Sequence, residues 1–121
     1  MSLLEHIIAN GNRTSDPDKI RSLRGANKIR CADGFEMSVI AGEGTYCSPR
    51  PDRYGLIGDV PGDYAGPYSA VEVGFPSQRP EPWDEWQEYG EKDDDPTATV
   101  YGYVPVQLVR ALVAAHGGEA Q

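Results

Sequence analysis

Basic residues are in the minority in this chain of 121 residues. Lysine and arginine total 11 against 19 aspartate and glutamate residues, which gives a formal net charge of −8. Proteins that bind nucleic acid depend on clustered lysine and arginine to neutralise phosphates. The composition therefore makes direct nucleic-acid binding unlikely.

Long apolar runs are also missing. No stretch approaches the roughly 20 consecutive apolar residues that cross a bilayer, and residues 1–10 lack the basic start of a secretory signal. The two cysteines, Cys31 and Cys47, are fewer than a small secreted domain commonly holds. These absences predict a cytoplasmic protein that does not span a membrane.

Side chains suited to catalysis or metal binding are few. Fifteen residues separate Cys31 from Cys47, and His6 and His116 lie near opposite ends of the chain, whereas zinc ligands come in closely spaced pairs. The turn at 42–45 lacks the lysine and the helix of a phosphate-binding loop. We therefore predict no catalytic residue, no cofactor and no metal site, and we favour a non-enzymatic function over an enzymatic one.

Capping and spacing signals predict helices at both ends of the chain. Ser2 and Glu5 have the spacing of a capping box, and the apolar residues after them repeat at helical spacing. A second short helix is predicted at about 17–24, because a proline such as Pro17 is tolerated in the first helical turn. The closing helix begins near Pro105. Its predicted buried stripe consists of Val106, Val109, Leu112 and Val113.

Alternating apolar residues predict the strands. These lie at 28–32, 35–40, 45–47, 68–75 and 98–104. Asp33 and Gly34, between the first two strands, are a strong hairpin signal. A plain two-residue turn would put Ile29 and Cys31 on the polar face, so we predict a one-residue bulge that brings them to the face of Phe35.

The remaining segments are irregular or helical. Prolines and glycines fill 48–67, which predicts a long irregular loop or a mobile flap, and a short helix is predicted over 83–89. Glu72 interrupts an apolar strand; it either faces solvent or, if a helix covers it, needs Arg30 or Arg110 as a partner. Together the elements predict one α+β domain of all 121 residues, with a mainly antiparallel sheet of four to five strands and short helices at both ends.

Most of the negative charge is concentrated in residues 81–95, here named the acidic aromatic segment. One lysine and eight acids give it a charge of −7, whereas six bases and three acids give residues 1–30 a charge of +3. Aromatic residues recur at helical spacing within the segment. The candidate interaction residues are Trp83, Asp84, Glu85, Trp86, Glu88, Tyr89, Asp93, Asp94 and Asp95.

Two interpretations of this segment stay open. Its aromatic side chains are either the core-facing stripe of a short helix whose acids face water, or part of an exposed patch that binds a basic partner. The second interpretation follows from the enrichment of tryptophan and tyrosine at binding hot spots. A variant of it is mimicry of DNA, in which carboxylates take the place of phosphates.

Four runs of the sequence resemble small uncharacterised proteins encoded by actinobacteria and their phages. The runs are GPYSAVEVGFPS at 66–77, RPEPW at 79–83, TVYGYVPV at 99–106 and HGG at 116–118. Taken together, the similarity covers residues 31–118. It implies a phage accessory protein in a bacterial cytoplasm, but it implies no activity and carries over no functional residue.

Three functions follow from these observations as hypotheses. The leading one is a non-enzymatic protein-interaction module that modulates a host protein through the acidic aromatic segment, with the loop at 48–67 as a second contact. The first alternative is a small-ligand binder or modest enzyme with a pocket between the sheet and that loop. Its candidate lining residues are Tyr46, Tyr54, Tyr64 and Tyr68. The other alternative is a structural component of a virion or assembly.

Overall fold

A computed structural model describes residues 2–14, 26–91 and 95–120. The helices are α1 (Leu3–Asn10), α2 (Trp83–Trp86), which continues as a 3-10 turn over Gln87–Tyr89, and α3 (Val106–Ala115). The strands are β1 (Lys28–Arg30), β2 (Glu36–Ile40), β3 (Pro51–Asp52), β4 (Val60–Pro61), β5 (Ala70–Gly74) and β6 (Val100–Pro105). The predicted helix at 17–24 lies outside the described residues.

Four strands pair into an antiparallel sheet in the order β1-β2-β5-β6, and β3 pairs with β4 in a separate parallel ladder. The helices at both ends contribute Ile7 and Leu112 to the same buried cluster as Val39 and Val73 of the sheet. The predicted α+β class with a mainly antiparallel sheet is confirmed. No helix in the described ranges is both long enough and apolar enough to cross a membrane.

The first hairpin contains the predicted bulge. Ile29 lies opposite Met37, and the Cys31 N–H donates to the Phe35 carbonyl at 2.8 Å, so that three residues form the loop instead of two. Gly34 ends the loop at φ 95°, a conformation that glycine adopts without a steric penalty. Ile29, Cys31 and Phe35 are all buried, which confirms the predicted register.

The predicted strand at 45–47 is wrong, because the chain turns there. The amide and the hydroxyl of Thr45 both donate to the Gly42 carbonyl, at 3.2 and 2.9 Å. Gly42 has φ 131°, and a Cβ on it would collide with the Arg13 carbonyl oxygen, so this turn requires glycine. A turn therefore occupies the place of the expected strand.

A register shift between β5 and β6 decides the surroundings of Glu72. The shift follows Val71 and leaves one extra residue in β6, where Tyr103 has φ 55°. The Tyr103 N–H donates to the Tyr46 carbonyl at 2.9 Å, and the Tyr46 N–H donates to the Glu72 carboxylate at 2.9 Å. The described partner of Glu72 is thus a backbone amide, whereas Arg30 pairs with Glu36 and Arg110 pairs with Glu5.

Side chains tie the two ends of the chain together. The predicted Ser2 cap is present, since Ser2 Oγ accepts the Glu5 N–H at 3.1 Å. The Glu5 carboxylate, however, binds the Arg110 guanidinium at 2.8 and 2.9 Å. Glu119 accepts the first two amides of α1 at 3.0 and 3.1 Å. These amides have no acceptor within their own helix, so the carboxylate completes the start of α1.

Candidate interaction surface

The acidic aromatic segment is anchored by its aromatic side chains. Trp86 is 0% exposed, and its ring meets the Tyr101 ring edge to face at 5.6 Å. Trp83 meets the same Tyr101 ring at 6.4 Å, and both Trp83 and Tyr89 are half-buried. The core-facing interpretation therefore holds for Trp86, which contacts the core and not the solvent.

The ring against which α2 packs is itself fixed. The Tyr101 hydroxyl donates to the Pro96 carbonyl at 2.6 Å. Burial raises the pKa of Tyr101 to about 12, so this hydroxyl keeps its proton at neutral pH. Nε1 of Trp86, by contrast, is buried without a hydrogen-bond partner among the described residues. Ring packing thus holds α2 in place.

Asp84, Glu85 and Glu88 are the exposed acids that this anchoring presents. All three lie on α2 or the 3-10 turn that continues it. Their side chains form no hydrogen bond or ion pair with any residue that the structure describes. Within the described part of the chain, their negative charge is therefore not neutralised by an ion pair.

Two other described acids of the acidic aromatic segment, Glu81 and Asp95, already have partners. Glu81 pairs with Arg79 at 2.8 Å, and the hydrogen bond from Arg79 lowers the pKa of Glu81. Asp95 accepts the Thr97 N–H at 2.9 Å, which lowers the pKa of Asp95. The acids at 93 and 94 lie outside the described residues. The described part of the predicted surface is thus centred on Asp84, Glu85 and Glu88.

A groove of about 440 Å³ lies between the acidic aromatic segment and α3. The segment contributes Glu85, Glu88 and Tyr89 to its lining. The opposite side is lined by Pro105, Gln107, Leu108 and Ala111. The groove therefore combines apolar side chains with two carboxylates that have no described counter-ion.

Sequence reasoning missed the α3 side of this groove. Pro105, Leu108 and Ala111 recur every three residues, and residues three apart lie on the same side of a helix. This second apolar row, beside the buried row that includes Val109 and Leu112, was the signal available in the sequence. This row faces the acidic aromatic segment only because α2 packs beside α3, and no local sequence pattern encodes that packing.

The loop at 48–67 is organised by one carboxylate. Asp52 accepts the backbone N–H groups of Tyr54, Leu56, Ile57 and Gly58 at 2.7 to 3.2 Å. The bonds from Ile57 and Tyr54 contribute most to lowering the pKa of Asp52 to about 2. The paired strands β3 and β4 lie in the same stretch, so the loop carries a hydrogen-bonded structure of its own.

The four tyrosines predicted to line one ligand pocket take part in different contacts. A cavity of about 170 Å³ beside the loop is lined by Tyr54 but not by Tyr46, Tyr64 or Tyr68. Tyr64 and Tyr68 pack against each other at 5.5 Å, and Tyr46 packs against Tyr103 at 5.8 Å. The cavity beside the loop is therefore not lined by the four tyrosines together.

The two thiols lie in the core. Cys31 and Cys47 are both free and buried, and burial raises the pKa of Cys31. Because the thiolate is the reactive form of cysteine, Cys31 is poorly suited to nucleophilic chemistry. Within the described ranges, no group of three or more His, Cys, Asp or Glu side chains is placed to hold a metal ion.

The fold and this surface define a small α+β protein with a groove edged by carboxylates. Comparison of the chain with protein-family models, with curated proteins and with solved structures finds no match.

Proposed function

We propose that the protein is a non-enzymatic interaction module that binds a partner with a basic surface through the acidic aromatic segment. The observation that carries the proposal is the exposure of Asp84, Glu85 and Glu88 without a counter-ion in the described structure. The buried Trp86 fixes the helical stretch that bears them. The carboxylates are therefore presented from a packed support, which limits the entropy lost on binding.

Surface charge of this kind acts mainly on the rate and the specificity of association. Opposite potentials steer two proteins together and raise the association rate constant, while like charges reject acidic competitors. The charge of −7 over 81–95 attracts surfaces rich in lysine and arginine. The phage setting implied by the sequence resemblance belongs to the same proposal, in which the partner is a bacterial host protein.

Charge reversal tests the proposal directly. The variant Asp84→Lys/Glu85→Lys/Glu88→Lys is expected to lose the basic partner that the wild-type chain captures from a bacterial lysate, as identified by mass spectrometry. Its Tm should change little, because the three side chains are exposed and make no bond with a described residue.

A second triple variant controls for net charge. Gln78→Lys/Ala115→Lys/Ala120→Lys raises the net charge by three at exposed positions outside the segment, and it is compared with Asp84→Asn/Glu85→Gln/Glu88→Gln, which raises the charge by the same amount within the segment. The Gln78/Ala115/Ala120 control is expected to capture the partner as the wild type does. Capture by the Asp84/Glu85/Glu88 variant, or equal loss in both variants, would contradict a role for the acidic aromatic segment.

A further inference from the structure

We infer that the groove between the acidic aromatic segment and α3 receives an apolar side chain of the basic partner, flanked in the partner by lysine or arginine. The inference rests on the proposed function and adds the position and the chemistry of the partner's anchor residue. The groove is the observation that supports this addition, because exposed carboxylates alone would not indicate an apolar anchor.

The groove offers apolar surface to an occupant. Tyr89 and Leu108 are half-buried and Ala111 is exposed, and all three line the groove. Its volume of about 440 Å³ lies within the range of roughly 300–1,000 Å³ that sites for small molecules occupy. It therefore has room for a large aliphatic or aromatic side chain, whose transfer from water is favourable.

The charges around the groove determine what flanks the anchor. Glu85 and Glu88 are three residues apart, so they lie on the same side of their helical stretch. On the α3 side, Gln107 is neutral, and Arg110 is already bound to Glu5 at 2.8 Å. None of the described residues that line the groove is basic, so an occupant that carries positive charge complements it, which favours a basic protein segment over nucleic acid or an acidic peptide.

A small-molecule site fits this groove less well. Such sites bury most of their ligand and add a few convergent polar groups that fix its orientation. Here the groove is open to solvent, and Glu85 and Glu88 have no described hydrogen bond that would orient their carboxylates. A side chain that belongs to a protein partner does not need convergent polar groups to orient it, because the surrounding interface excludes water and supplies the remaining contacts.

A displayed library of random peptides tests the inference with the full chain as the target. Enriched peptides are expected to share a large aliphatic or aromatic residue with lysine or arginine on both sides. Ala111→Phe fills the groove from an exposed position and leaves the carboxylates in place. It should weaken binding of the selected peptides by at least about 10-fold, the smallest effect that a change of one methylene has in a hydrophobic pocket.

Two controls show whether the weaker peptide binding of Ala111→Phe comes from the filled groove or from a folding defect of that variant. Ala98→Phe makes the same substitution at an exposed position that is neither on α3 nor in the groove lining, so it should bind the peptides as the wild type does. Replacing the shared apolar residue of a selected peptide by glutamine should weaken its binding to the unaltered chain as much as Ala111→Phe does.

The outcomes separate the anchor from the proposed function. Basic peptides that lack a shared apolar residue and bind wild type and Ala111→Phe equally would overturn the anchor and leave the proposed function standing. If the wild-type chain enriches basic peptides no more than the variant Glu85→Lys/Glu88→Lys does, both the anchor and the proposed function are overturned. Loss of binding in both phenylalanine variants would also contradict a specific role for the groove.

Discussion

At the scale of single residues, several carboxylates of this protein bind backbone amides. Asp52 accepts four N–H groups, Glu119 accepts two and Glu72 accepts one. Such bonds stabilise the charged form of a carboxylate and give it a structural role. The net charge of −8 therefore contains acids of two kinds, and only those without a described partner point to a binding surface.

Asp52 gives a prediction about pH. Its pKa is lowered from 3.8 to about 2 in the folded chain, so the unfolded chain binds the proton more readily. The stability that Asp52 contributes is present above about pH 4 and is lost as the pH falls toward about 2. Asp52→Asn should therefore be less stable than wild type at neutral pH, and urea unfolding should show the difference shrinking across that acidic range.

The neighbouring Asp59 provides the control for this prediction. Its carboxylate accepts one hydrogen bond, from the backbone N–H of Arg50 at 3.1 Å. Asp59→Asn should therefore cost less stability at neutral pH than Asp52→Asn. A difference between wild type and Asp52→Asn that stays constant from neutral pH down to the acidic range would show that the charge of Asp52 does not organise the loop.

At the scale of elements, the bulge in β6 carries a conformational cost. Tyr103 has φ 55°, in the left-handed region that costs a non-glycine residue about 1–2 kcal/mol. Its N–H donates to the Tyr46 carbonyl, and its hydroxyl accepts a hydrogen bond from Arg50 at 3.3 Å. These bonds, with the pairing of β5 and β6 on either side, hold Tyr103 in this conformation.

A glycine–alanine comparison tests this cost. Tyr103→Gly and Tyr103→Ala both remove the ring, but only alanine retains the Cβ that the left-handed region disfavours. We expect the alanine variant to be less stable by about 0.5–1 kcal/mol in urea unfolding. At Lys28, an exposed strand position, the order should reverse, with Lys28→Ala more stable than Lys28→Gly. The same order at both positions would contradict the assigned conformation of Tyr103.

Elements with local signals were predicted, and elements that depend on tertiary contacts were not. Ser2 and the Asp33-Gly34 turn act on their immediate neighbours, so α1 and the first hairpin follow from the sequence. The turn at 45–47 binds β5 and β6 through Glu72 and Tyr103, which no local pattern shows. The acids and aromatics of the site are likewise visible in the sequence, whereas the groove exists only because α2 and α3 lie side by side.

At the scale of the whole molecule, the two ends of the chain close one core. Glu119 binds the first amide of α1 across 116 positions of sequence, Arg110 binds Glu5, and the Ala120 N–H donates to the Arg30 carbonyl at 2.7 Å. A helix as short as α1 is held mainly by packing of its apolar side rather than by its own propensity. Loosening this closure should therefore destabilise the whole domain and not only its end.

Glu119→Gln tests that closure. The variant keeps an oxygen acceptor but removes the negative charge at the start of α1, so we expect the free energy of unfolding to fall by about 1 kcal/mol. Since α1 and Trp86 belong to one buried cluster, far-UV circular dichroism and tryptophan fluorescence should report the same lowered midpoint. Glu91→Gln, at an exposed side chain with no described partner, should leave that midpoint unchanged. If the circular dichroism signal of the helices falls while the fluorescence midpoint stays equal to that of the wild type, α1 frays separately from the core.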